Sequence, residues 1–145
     1  MNENADAYWL DVPLSTLGGD CDDMSRQYGH IEGNDEVAVR DAIRAVAIPY
    51  VRRFDADSLK KTKNAYRFFL SNREDTIWDA VYSSMYMPFD PPTPSRLFFV
   101  WLWEEMFPGE SWKVDDLSGW TTKSEPRNLR LAVSDTDQWG TRIPD

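Results

Sequence analysis

Residues Ser95–Phe107 read Ser-Arg-Leu-Phe-Phe-Val-Trp-Leu-Trp-Glu-Glu-Met-Phe, and Leu97 to Trp103 is an unbroken apolar run of seven. Each such side chain stabilises a fold by roughly 1.5–3 kcal/mol when it is buried. The rest of the chain is therefore expected to pack around this stretch. An all-apolar run of this length suits a buried strand or a buried helix, and its flanks favour helix. Thr93-Pro94 offers a capping hydroxyl and then a proline suited to a first helical position. Glu104-Glu105-Met106 continues in helix formers, and Pro108-Gly109 ends the pattern.

Three more helices are expected upstream. Asn34 reads as an N-cap, with Asp35 and Glu36 in a first turn that favours acids. Val39, Ile43, Val46, Tyr50 and Phe54 then make a stripe at the 3.6-residue period, so a helix is expected over 34–54. Glu36 faces Arg40 at i,i+4, and Pro49 is expected to kink this helix or end it near Ala47. A second helix at 58–71 carries Leu59, Thr62, Tyr66, Phe69 and Leu70 on one face. A third at 73–86 does the same with Ile77, Trp78, Val81, Tyr82 and Met85. The proline-rich segment Met87–Pro94 reads as a stiff spacer before the central helix.

The two ends pattern differently. Residues 1–33 form a loosely patterned arm, in which Tyr8–Leu14 suits a short strand or an extended segment restricted by Pro13, and Gly18–Asp23 a turn or loop. Met24–Tyr28 has room for a helical turn, and Tyr8, Trp9 and Leu10 are expected to fasten the arm to the body. Near the other end Leu129, Leu131 and Val133 alternate with Arg130, Ala132 and Ser134, as in a strand that turns toward Trp139–Ile143. The expected fold is one domain over 1–145, mainly α, with a four-helix core around helix 95–107. A small C-terminal β element, joined by the N-terminal strand, makes it α+β by strict count.

Chemistry-bearing constellations are few. His30 is the only histidine and Cys21 the only cysteine, so two-histidine metal patterns and an internal disulfide are excluded. Cys21 lies beside Asp20, Asp22 and Asp23, whose charge disfavours a thiolate. Those aspartates fail as a calcium loop, because the sixth and twelfth positions from Asp20 are Ser25 and Ile31. Gly18-Gly19 is too little for a phosphate loop. Glu104-Glu105 is the best carboxylate pair, read as the point where the central helix meets water. Arg52, Arg53, Lys60, Lys61, Lys63 and Arg67 form a basic cluster with Tyr66 and Phe68 nearby. It reads as a solvated face or a counterpart of the acidic third of the chain. No catalytic, cofactor-binding or metal-ligating set is expected, and no cofactor.

Charge supplies the functional expectation. The formal net charge is −9, and residues 1–36 alone carry −8, against +3 for 37–103 and −4 for 104–145. That asymmetry disfavours nucleic acid and favours a basic protein partner. Asp20, Asp22, Asp23, Glu32, Asp35 and Glu36 are the expected partner-binding residues. The central apolar run is far shorter than the roughly 18 residues of a membrane span. The start lacks the order of a signal peptide, so a cytoplasmic location is expected. The leading functional expectation is a non-catalytic binder of the immunity or antitoxin type, which neutralises a basic toxin domain. A secretion chaperone or adaptor, and a hydrolase using acidic residues, are the alternatives.

Overall fold

A computed structural model describes residues 3–19, 22–72 and 75–122. The expected strand at Leu129–Val133 and its partner at Trp139–Ile143 lie outside the described residues. In chain order the elements are β1 (Glu3–Ala5), 3-10 turns at Ala7–Leu10 and Val12–Leu14, and α1 (Asp22–Tyr28). Next come α2 (Glu36–Ala42), a π-helical turn at Ile43–Ala47, α3 (Ile48–Val51), α4 (Ala56–Asn72), α5 (Asp75–Ser84), α6 (Arg96–Met106) and β2 (Trp120–Thr122). The fold is mainly α with a small β element. β1 and β2 pair in parallel, with Glu3 opposite Trp120 and Ala5 opposite Thr122. A parallel pair needs a long crossover, and here the helical body is that crossover.

The central run is helical as expected, and Phe98, Phe99, Leu102 and Trp103 are wholly buried. Phe99 lies 4.4 Å from the Trp78 ring, and Tyr66 approaches both of them at 5.7–6.3 Å. Tyr82 meets Phe98 edge-on at 5.2 Å. These contacts set α4 and α5 against α6 through aromatic pairs that add to burial alone. Leu59 and Ile77 are half-buried, whereas the expected Thr62, Tyr66, Phe69 and Leu70 on α4 are buried, and so are Trp78, Val81, Tyr82 and Met85 on α5 and just past its end. Their polar tips are accounted for. Tyr66 donates to the Leu10 carbonyl at 2.5 Å, Tyr82 to Phe89 at 2.7 Å, and Trp103 Nε1 to Glu110 at 2.7 Å. The start of α6 differs from expectation: Ser95, not Thr93, is its N-cap, and no side chain caps it.

The helix expected over 34–54 is divided, and the division moves its buried face. Asp35, rather than Asn34, caps α2, accepting from the Ala38 amide at 3.2 Å. Pro49 neither ends nor sharply breaks the helix. The turn before it is π-helical, with Ile48 N–H bonded to the Ile43 carbonyl five residues back. A π turn inserts one residue into the helical count and so rotates the downstream residues by about 100°. The buried positions after Ile43 are accordingly Ala47, Ile48 and Val51. The 3.6 period expected Val46 and Tyr50, which are half-buried. Tyr50 and Phe54 instead make an aromatic seam with Trp9.

The N-terminal arm is not loose. Ala5, Ala7, Leu10, Leu14 and Leu17 are core residues, and Tyr8–Leu14 forms two 3-10 turns rather than a strand. Asp6 accepts from the Tyr8 amide and starts the first of them. Helix α1 begins at Asp22, inside the stretch expected to be a loop. On both sides of it the chain runs along the 85–93 connector. Gly19 N–H donates to the Met85 carbonyl at 2.7 Å, and Asn34 Oδ1 accepts from the Thr93 amide at 3.0 Å. Gly33 is buried against Asp90 and Pro91 so closely that a Cβ would lie 2.6 Å from the Pro91 carbonyl carbon. Only a residue without a side chain fits there.

Candidate functional site

The described acids of the expected site are all exposed. Asp22 and Asp23 occupy the first turn of α1, and Asp23 pairs with Arg26. Glu32 lies in the loop after α1, while Asp35 and Glu36 open α2. Asp20 and Cys21 lie outside the described residues. His30 is exposed in the turn after α1. Both ends of α1 touch the same segment. Gly18 and Gly19 precede it against Met85, and the Cβ position of Gly29, just past its end, is 3.6 Å from the Pro88 carbonyl. The acids from Asp22 to Glu36 therefore ride on backbone fastened to a proline-rich strut.

They do not all have the same work. Asp35 uses its carboxylate as a cap, and Glu36 accepts from Arg40 Nε at 2.8 Å. Glu36 thereby joins a charge cluster that bridges α2 and α6. Arg40 also donates to Glu105 at 3.0 Å and to Glu104. Arg44 grips both oxygens of Glu105, at 2.8 and 3.3 Å, and reaches Asp41 at 2.8 Å. Two guanidiniums among four carboxylates leave this cluster acidic. Burial alone would lower the Arg40 pKa, but its hydrogen bonds to Glu104, Glu105 and Glu36 outweigh that and raise it. Burial alone would likewise raise Glu105, whereas its bonds from Arg44 and Arg40 bring it below the usual carboxylate range.

The reading of Glu104-Glu105 as a helix end meeting water holds for Glu104, which is exposed, and is corrected for Glu105. The Glu105 side chain is only 15% exposed and is committed to two arginines. A carboxylate held ionised in that way is a poor general acid, which weakens the pair as a hydrolytic centre. Glu36, Asp41 and Glu104 remain about half exposed or more, and Val37, next to Glu36 in the chain, is 72% exposed. Asp41 escaped the sequence reading, although its spacing of three from Arg44 was available.

The basic cluster is dispersed. Lys63 and Arg67 share Glu110, at 2.9 and 3.4 Å, and lie over the Phe107 and Trp103 rings. Lys61 pairs with Asp57 and lies over Trp9. Their counterparts are thus the segment after α6 and α4 itself, and of the acidic N-terminal third Asp6 adds its charge near Lys61. Arg52, Arg53 and Lys60 are exposed. Among the described residues no three His, Cys, Asp or Glu side chains are placed to hold a metal ion. No helix among them is long and apolar enough to cross a membrane. No protein-family model, curated protein or solved structure matches the chain.

Proposed function

We propose that this chain is a non-catalytic acidic binding protein, a cytoplasmic inhibitor of the immunity or antitoxin type that neutralises a basic toxin domain by direct contact. One observation carries the reading: Asp22, Asp23, Glu32, Asp35 and Glu36 are all exposed along a segment fastened to the proline-rich connector. A fixed array of like charge accelerates encounter with an oppositely charged surface and loses little entropy on docking. Asp23–Arg26 does not cancel the array, because an exposed pair of this kind contributes little. Asp20, within the same acidic stretch, belongs to the proposed surface.

The test is kinetic. The partner is obtained by co-purification from the native host and mass spectrometry, and association is then followed by stopped flow. The on-rate is expected to fall at least about tenfold from low to physiological salt, as screening shortens the field to about 8 Å. Replacing Asp20, Asp22 and Asp23 by Asn should slow association more than it speeds dissociation, with an unchanged melting temperature. Stoichiometric loss of the partner's enzymatic activity marks an inhibitor, and delivery of an unfolded partner marks a chaperone. An on-rate indifferent to both salt and the triple Asn change overturns the reading.

A further inference from the structure

Four aromatic rings from separate parts of the chain meet at the surface. Tyr8 and Trp9, on the first 3-10 turn, are edge-on at 5.5 Å, Trp9 and Phe54 at 6.5 Å, and Phe54 and Tyr50 at 5.3 Å. Tyr8 is 46% exposed and the other three are half-buried, so the seam keeps an open side. It also presents hydrogen-bond donors. Among the described residues the Trp9 indole N–H and the Tyr50 hydroxyl have no hydrogen-bond partner, and neither is sealed from solvent. The buried Tyr66, Tyr82, Trp78 and Trp103 differ, since each of their polar tips is bonded to a carbonyl. Arg52 and Arg53 lie between Tyr50 and Phe54 in the chain, both exposed and without an acidic partner among the described residues. Lys61 stands 5.9 Å over the Trp9 ring. Going beyond the acidic-binder reading, we propose that this seam docks an extended proline-rich segment of another protein, with acidic residues beside its prolines. A polyproline II segment has no internal hydrogen bonds, so its carbonyls are open to donation from Trp9 and Tyr50, and its rings pack on an aromatic-lined surface. Arg52 and Arg53 then meet the flanking carboxylates. Single-stranded nucleic acid fits less well. The edge-on contacts occupy ring faces on which bases would stack, and Asp57, Asp6 and Asp55 near Lys61 oppose a chain of phosphates.

The probe is the peptide acetyl-Pro-Pro-Glu-Pro-Pro-Glu-amide, titrated into the 15N-labelled full chain beside two relatives, one with alanine for each proline and one with glutamine for each glutamate. The first peptide is expected to shift the Tyr8, Trp9, Tyr50 and Phe54 amides and the Trp9 indole N–H saturably. The alanine peptide should bind at least about fivefold more weakly, because it must be ordered on docking. Tyr50→Phe and Trp9→Phe keep a ring and remove a donor, and each is expected to weaken binding about threefold, the effect of one hydrogen bond. Arg52→Gln with Arg53→Gln should bring the glutamate peptide down to the level of the glutamine peptide. Asp22→Asn with Asp23→Asn should not weaken it, since the seam draws on none of the acidic array. If Trp9→Phe loses its dispersed spectrum, Tyr50→Phe and the exposed arginine pair carry the test. Equal binding of the proline and alanine peptides, or shifts indifferent to the donor and arginine variants, overturns the assignment. Tighter saturable binding of octathymidylate at the same amides overturns it in favour of single-stranded nucleic acid. No saturable shift of the seam at millimolar peptide overturns it outright.

Discussion

Tyr66 shows what one polar atom does in this core. Its ring is wholly buried against Trp78 and Phe99, and its hydroxyl is the donor to the Leu10 carbonyl, which fastens the N-terminal turn to α4. Tyr66→Phe leaves that carbonyl without this donor and is expected to cost about 1–3 kcal/mol in urea unfolding. Burial raises the Tyr66 pKa well above its ordinary value, with the Asp11 charge adding to the effect. The neutral phenol is thus the form the fold favours. Its contribution is complete below about pH 10 and declines above it, where the unfolded chain ionises first. Tyr82, raised for the same reason, adds to the alkaline decline. Unfolding free energies from pH 8 to 11 should therefore fall less steeply in Tyr66→Phe than in the wild type, and equal slopes would refute the linkage. Tyr66 was legible as a core residue because it keeps the α4 period. Its partner was not, since a bond to a carbonyl 56 residues away leaves no trace in local spacing.

At the level of the helices, the π turn at Ile43–Ala47 is the main departure from periodicity. It carries one residue more than an α-helix would, so removing a residue there has an outlet that an ordinary helix lacks. Deleting exposed Ala45 is expected to restore α geometry. Deleting exposed Lys60 from α4 rotates everything after it by about 100° and turns Tyr66, Phe69 and Leu70 out of the core. The Ala45 deletion should leave the buried face of α3 in place, because Ala47, Ile48 and Val51 then return to the 3.6 period counted from Ile43. The urea midpoint should drop moderately for the Ala45 deletion, and cooperative unfolding should be lost for the Lys60 deletion. A reversed order would show that the π turn is required rather than tolerated. Pro49 signalled a disturbance in the sequence. Its form was not legible, because a kink, a stop and a π turn all leave the same proline behind.

Across the fold as a whole, the cluster of Arg40, Arg44, Glu104 and Glu105 joins elements separated by some sixty residues. Glu105 has its pKa lowered on folding, so it contributes stability above the ordinary carboxylate value of about 4.3. That contribution is lost as the pH falls through the lower folded value. Glu105→Gln is expected to reduce the melting temperature at pH 7, since it leaves two arginines less well paired, and to flatten the acid limb between pH 5 and 3. An acid limb identical to that of the wild type would assign the acid sensitivity to other carboxylates. The same cluster explains why the candidate surface was only partly legible. Composition located the acids of the N-terminal third, yet sequence had no means of showing that Glu36 and Asp41 share a surface with Glu104.

Composition and spacing alone settle the inventory that burial must satisfy. The apolar run at 97–103 had to be central, the periodic faces of α4 and α5 had to meet it, and the acids Asp22, Asp23, Glu32, Asp35 and Glu36 had to stay at the surface. Each of these is readable in one dimension, because the cost of exposing aromatic surface or burying charge is local to the residue. Three-dimensional packing decided the rest. The weakly patterned arm became core through Leu10, Leu14 and Leu17, and Glu105 became a clamp on two arginines while Glu104 stayed at the surface. The strand positions came to pair Glu3–Ala5 with Trp120–Thr122. Gly33, which reads as punctuation, proved to be a point of backbone contact with Asp90 and Pro91. These outcomes depend on which distant groups meet, and that is settled by the joint packing of all the elements rather than by the preference of any one of them.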